Sequence, residues 1–306
     1  MGLAGTGGTS MKRVKQAYVN SFDGTEIWYE SVGEGLPFIL LDGIGCFGYA
    51  WKYLTAHFAS TNRFVHMHYR GHGKSRIPAD ENNLSIQDTC RDIAAVLDDD
   101  GVDGGILVGH SMGVQVILEF ARMYPERVKG LVPVCGSYGY PLRTFHDNRL
   151  LDMVFPFIYT PAVLAPWLFS PIWKVLLPTR FSWEVAIRGE VNGHLLKYED
   201  MMSYFHDLST VPIKIFAKML DHASRHTAED MLGDIKVPTL IIGGEHDTFT
   251  PGWLSEKMHE RIAGSELFII QHGTHTAPIE APELINLRLE KWLRRYFGQL
   301  PPDEAN

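Results

Sequence analysis

The stretch Gly105-Ile106-Leu107-Val108-Gly109-His110-Ser111-Met112-Gly113-Val114-Gln115-Val116-Ile117-Leu118-Glu119-Phe120 joins two patterns of different period. Residues 105–108 form an apolar run short enough for a buried strand, and from Val114 onward the apolar residues fall at helical spacing. Between them stands Gly109-His110-Ser111-Met112-Gly113, a G-x-S-x-G pentapeptide. A chain that passes from strand to helix this abruptly holds the serine in a strained backbone conformation. Side chains at 109 or 113 would run into the neighbouring element. The serine hydroxyl is thereby raised above the sheet edge, beside a helix N-terminus whose free N–H groups and positive dipole end favour developing negative charge. Ser111 is the candidate nucleophile.

Further along, Arg70-Gly71-His72-Gly73-Lys74-Ser75 reads R-G-x-G-x-S. With this turn and the pentapeptide, the chain resembles the α/β-hydrolase fold superfamily, in its esterase, lipase and lactonase-type branch, over about residues 20–298. The resemblance implies an α/β fold with a mostly parallel central sheet flanked by helices, and an inserted helical cap. It also implies a nucleophile, an acid and a histidine in that order, because a serine hydroxyl is barely ionised at neutral pH and needs an oriented base. The acid loop corresponds to Gly243-Gly244-Glu245-His246-Asp247-Thr248-Phe249-Thr250-Pro251, with Asp247 as the acid and Glu245 as the competing carboxylate that braces the loop. The helix start after Pro251 favours Asp247 by fixing its position. The base corresponds to His275 in Gln271-His272-Gly273-Thr274-His275, with His272 expected to be solvated and His110 to pack beneath the serine.

The family's oxyanion hole maps onto the backbone N–H groups of Ile44 and Met112. Gly43 keeps the backbone approach open and counts with the substrate-binding residues. Where most relatives carry His-Gly, this chain has Asp42-Gly43. A carboxylate aimed at the oxyanion would oppose it, so Asp42 is expected to turn away and bind loop amides. The chemistry requires no cofactor and no metal.

At 306 residues the chain has room for about two domains, or one large α/β domain with an insertion. A hydrophobic content of 45% with 11% aromatics suits a packed core. The net charge of −8, with no basic block, weighs against a nucleic-acid partner. Cys46, Cys90 and Cys135 are odd in number with no C-x-x-C pair, which fits a reducing, cytoplasmic setting. The glycine-rich start lacks an apolar signal core and reads as a disordered tail over 1–14; its match to a myristoylation pattern is one that glycine-rich tails meet easily. His66, His68 and His72 lie close in sequence, but no carboxylate accompanies them at ligand spacing, so they are not expected to hold a metal.

In chain order, strands are expected over 15–20 and 25–31, joined by a type I′ turn at Asp23-Gly24, then over 37–41, 63–68, 105–108 and 128–135. Helices fall near 50–58, 85–97 and 114–122. No strand signal appears over 138–215, and the sheet resumes at 237–242 and 266–270. This divides the chain into a core of 15–137 and 216–298, a helical cap of 138–215, and a tail of 299–306. Residues 153–173 carry no charge and are long enough to span a bilayer, but Pro156, Pro161, Pro166 and Pro171 interrupt the helical bonding. No transmembrane segment is expected, and contact with a membrane surface is a minor alternative. The aromatics of this stretch, Phe155 and Trp167 foremost, are expected to pack the cap onto the core and wall a pocket for a greasy group. The expected activity is hydrolysis of hydrophobic carboxylic esters through an acyl-enzyme. Lactone, thioester or carbon–carbon hydrolysis on the same triad, haloperoxidase-like activity, and a ligand receptor that retains the fold are the alternatives.

Overall fold

The computed structural model describes residues 14–189 and 191–302. The expected N-terminal tail, apart from Val14, and residues 303–306 of the expected C-terminal tail lie outside the described residues. Eight strands form one sheet: β1 (Val14–Asn20), β2 (Glu26–Val32), β3 (Leu36–Leu41), β4 (Asn62–Met67), β5 (Gly105–His110), β6 (Val128–Val134), β7 (Leu240–Gly244) and β8 (Glu266–Ile270). Their order is β1-β2-β4-β3-β5-β6-β7-β8. β2 pairs antiparallel with β1 and with β4, and every other pairing is parallel. The central strands are apolar on both faces because helices cover both; every residue of β5 is buried.

Helices α1 (Lys52–Phe58), α2 (Ile86–Asp100) and α3 (Met112–Met123) connect the first strands. Between β6 and β7 the chain makes α4 (Pro141–Thr144), α5 (Leu150–Leu164), α6 (Pro166–Leu176), α7 (Arg180–Gly189), α8 (Tyr198–Thr210) and α9 (Ile213–Arg225). Then come α10 (Gly252–Arg261), the short α11 (Ala277–Glu280) and α12 (Pro282–Phe297). One core layer gathers side chains of α2, α3 and α10, such as Ile93, Val114 and Leu254. The other gathers α1 and α12, with Phe58, Leu289 and Trp292. The inserted helices build a smaller cluster, Ala186, Val191, Leu196, Met201 and Phe205, closed by Ile279 of α11. The expected boundary at residue 215 falls inside α9, whose Ile215, Met219 and Ala223 pack into the first core layer.

Two expectations are corrected. Asp23-Gly24 does not form a two-residue type I′ hairpin: Asn20 pairs with Glu26, leaving a five-residue loop over 21–25. Ser21 N–H donates to Thr25 O at 2.9 Å, and Gly24 takes φ 80°. The seventh strand begins at Leu240, after Pro238, whose missing N–H cannot join the ladder. No single helix among the described residues is long and apolar enough to cross a membrane; α5 and α6 meet at a bend of 103°.

Candidate active site

Ser111 sits on the turn between β5 and α3 with φ 57° and ψ −119°, a conformation that an L side chain rarely adopts. Its N–H donates to the carbonyls of Val134 and Cys135, both at 3.1 Å, so β6 holds the turn. A Cβ on Gly109 would stand 2.3 Å from the Gly113 carbonyl oxygen, and one on Gly113 would stand 2.2 Å from that of Leu41. Both obstacles are backbone and cannot swing aside, which gives the two glycines of the pentapeptide their reason.

The loop after β8 brings His275 onto the serine. Its Nε2 lies 2.9 Å from Ser111 Oγ, and its Nδ1 lies 3.0 Å from Asp247 Oδ2 and 3.1 Å from Oδ1. The Phe249 ring stacks on the imidazole at 4.8 Å between centroids. Asp247 is aimed by its own turn. Oδ1 accepts the N–H groups of Phe249 (2.9 Å) and Thr250 (2.8 Å), and Oδ2 accepts the Thr250 hydroxyl (2.7 Å). Burial alone would raise the Asp247 pKa, but the neighbouring His275 and the Thr250 hydrogen bonds outweigh it and hold the carboxyl below its ordinary value. Glu245 stands apart: it is half-exposed and accepts the N–H of His272 at 2.8 Å, bracing the loop.

Two further groups fix His275. His110 is buried, its Nε2–H donates to the His275 carbonyl at 2.9 Å, and burial, helped by nearby His275, lowers its pKa to about 4. The buried Glu280 carboxylate accepts the Thr274 N–H (2.8 Å), the Thr276 hydroxyl (2.8 Å) and, from the inserted segment, the Asn192 N–H (3.0 Å). Thr250 and Glu280 received no role from sequence reasoning. The D-x-x-T spacing that places Thr250 under Asp247 is the signal that marks it.

The loop after β3 carries Gly43 and Ile44 to the serine; a Cβ on Gly43 would come 3.1 Å from Ser111 Cβ. Among the described residues, the N–H groups of Ile44 and Met112 meet no protein acceptor. Asp42 is buried and turned away, as expected of it: its Oδ2 accepts the Gly48 N–H at 2.9 Å and the His66 Nε2–H at 2.7 Å. His68 Nδ1 accepts the Lys74 N–H, and His72 Nδ1–H donates to Arg70 O, so His66, His68 and His72 have separate partners. Buried Arg70 grips Asp92 through two hydrogen bonds, of 2.7 and 2.5 Å, and pins the R-G-x-G-x-S turn to α2. Among the described residues, those that could together hold a metal ion are the exposed Glu245, His246 and His272, on the outer side of the acid and base loops.

A cavity of about 440 Å³ opens over Ser111 and His275. Gly43, Ile44 and Met112 line its floor, and Leu142, Phe181, Met201, Phe205 and Phe216 of the inserted helices contribute to its walls. Among the described residues, no lysine, arginine, aspartate or glutamate lines it. Phe155 and Trp167, expected in the wall, are absent from it. Phe155 is buried against Tyr159, and Trp167 is 73% exposed. α5 is apolar nearly all round, so its sequence does not distinguish an inward face from an outward one.

The sequence profile of the alpha/beta hydrolase fold family matches residues 37–282. The chain is 28% identical to a protein of Azorhizobium caulinodans named "Putative carbamate hydrolase RutD", over 85% of this chain and 92% of that protein. It is 25% identical to Epoxide hydrolase 4 of Mus musculus, over 86% of this chain and 75% of that one. Among solved structures, the esterase EaEST from Exiguobacterium antarcticum superposes with a TM-score of 0.73 at 22% identity, over 92% of this chain and 100% of the other, a likeness of fold. Sheet order, the turn at Ser111 and a profile match across most of the chain agree: this chain belongs to the alpha/beta hydrolase fold family.

Proposed function

We propose that the chain is a serine hydrolase of carboxylic esters with apolar acyl or ring-bearing groups. The observation that carries this reading is the unbroken relay from Asp247 Oδ2 to His275 Nδ1 (3.0 Å) and from His275 Nε2 to Ser111 Oγ (2.9 Å). His275 takes the Ser111 proton as Oγ attacks the ester carbonyl, and Asp247 stabilises the imidazolium. The carbonyl oxygen becomes an oxyanion facing the N–H groups of Ile44 and Met112, each such donor typically worth about 10² to 10³ in rate. Collapse breaks the bond to the alcohol, which leaves with the proton from His275. Water, deprotonated by the same histidine, then attacks the acyl-enzyme and frees the acid.

Among the described residues no lysine or arginine lines the cavity, which favours a neutral, apolar acyl group, since an anionic one would be desolvated there without a cation to meet it. The inserted helices act as a cap over that group. Serine at position 111 argues against epoxide opening, which needs a carboxylate nucleophile at saturated carbon. The relative named as a carbamate hydrolase supports a second reading, in which the same attack releases an amine from a carbamate.

The test is fluorophosphonate labelling with p-nitrophenyl ester turnover. The native chain is expected to label at Ser111 and to hydrolyse medium-chain esters, and Ser111→Ala to lose both, with turnover down at least about 10⁴-fold. No labelling of the folded native chain overturns the reading in favour of a receptor. Activity that peaks on acetate and falls steeply by octanoate overturns the apolar acyl specificity. Faster turnover of p-nitrophenyl carbamates than of every ester favours the second reading.

A further inference from the structure

The inserted helices turn a broad apolar face outward. On α5 and α6, Phe157 is 81% exposed, Leu164 76%, Trp167 73%, Val175 72% and Met153 70%. Soluble monomers rarely leave an apolar patch this extensive uncovered. Neither helix alone crosses a bilayer: α5 has 15 residues and α6 has 11, the two bend by 103°, and at 1.5 Å per residue neither reaches the ~30 Å of a hydrocarbon core. Helices of this kind can lie in the plane of an interface, apolar side down.

We infer that this face docks the chain on an anionic lipid surface. Charge points to that occupant: residues 141–180 hold Arg143, Arg149, Lys174 and Arg180 against only Asp147 and Asp152, a positive segment in a chain of net charge −8. Exposed apolar residues also reach the cavity. Phe181 and Val185 of α7 are 61% and 52% exposed, and both line the cavity over Ser111. Exposed apolar side chains therefore stand both on the outer face and at the cavity over the candidate active site. A lipid surface covers the face and leaves an apolar path for a lipid-dissolved molecule, whereas a second copy seated there would close the same mouth. The aromatics that turn away from the cavity, Phe157 and Trp167, are the anchors.

The experiment is co-flotation of the full chain with vesicles of phosphatidylcholine alone and with one third phosphatidylglycerol, at low and high salt. The native chain is expected to float with the phosphatidylglycerol vesicles, less with phosphatidylcholine alone and less at high salt. The double variant Phe157→Ser, Trp167→Ser is expected to partition about tenfold more weakly. Neither residue lines the cavity, so its melting temperature and its turnover of a soluble short-chain ester should stay within about twofold or a few degrees of native. Native protein that stays with the lipid-free fraction at every composition overturns the inference. So does a dimer in sedimentation velocity that the double variant dissolves while vesicles are not bound. Docking does not depend on the esterase reading: a chain that floats without turnover fails only the latter, and one that turns over without floating fails only the former.

Discussion

Asp42 shows how one residue departs from a family pattern and still serves the site. Its carboxylate holds Gly48 N–H and His66 Nε2–H at 2.9 and 2.7 Å, so it ties both ends of the loop that carries Ile44 to β4. Asp42→Ala leaves two buried donors unpaired and is expected to cost about 3–5 kcal/mol in urea unfolding. Asp42→Asn keeps one acceptor and should cost about 1–3 kcal/mol while lowering kcat more than KM changes, because the loop loses one of its ties. Equal stability of the native chain and both variants would remove this role from Asp42. Legible in the sequence was the meeting of Ser111, Asp247 and His275, each set in a recognisable pattern; they lie far apart in the chain, and successive members stand within 3.0 Å along one line of hydrogen bonds. Glu280 and Asp92 were not legible, because hydrogen bonds to such groups follow from loop shapes that no spacing rule announces, whereas Thr250 carried a signal, its D-x-x-T spacing from Asp247, that went unread. Phe155 and Trp167 misled for another reason, since aromatic character signals burial without saying against what.

At the scale of elements, the sheet was readable because parallel strands covered on both faces are continuous apolar runs; β8 falls at Glu266–Ile270 as expected. α2 adds a local stop and start signal of its own. Ser85 Oγ accepts the Asp88 N–H at 3.1 Å, Asp88 Oδ2 accepts the Ser85 N–H at 3.0 Å, and Gly101 ends the helix at φ 68°. Ser85→Ala is expected to cost about 1 kcal/mol in denaturant unfolding without changing ester turnover, because α2 lies away from the cavity. A loss below about 0.3 kcal/mol would mean that packing against α3, and not the cap, sets the start of this helix. The hairpin loop and the α5–α6 pair were harder to read. Asp-Gly fits several loop lengths, and only the register of Asn20 against Glu26 selects five residues. A helix apolar all round leaves its orientation to tertiary packing, which in this chain sends one aromatic inward and its neighbours out.

For the molecule as a whole, the burial of its histidines sets how it meets acid. His68, His72 and His110 all lie inside the fold, and burial is the first cause that lowers their pKa values from 6.5 to about 2, 4 and 4. For His68 and His110 the neighbouring histidines add to the shift. A lowered histidine pKa means that the native state refuses a proton that the unfolded chain accepts. Below pH 6.5 the unfolded state therefore binds more protons, and stability falls as pH falls. Each histidine contributes about 1.4 kcal/mol per pH unit inside its window, so the three together give about 4 kcal/mol per unit. Against a typical total of about 5–15 kcal/mol, that slope removes a large part of the stability between about pH 6.5 and 4. The melting temperature is thus expected to drop steeply from pH 6 downward, and His72→Gln to flatten the drop by roughly a third. The acidic groups set a different window. Asp23, which burial would raise but hydrogen bonds from Thr25 and Asn83 and the charge of Arg70 hold at about 2, keeps its contribution until pH falls below the ordinary carboxylate range. A melting temperature level from pH 7 to 4.5 that collapses only below 4 would assign acid unfolding to the carboxylates and not to the buried imidazoles.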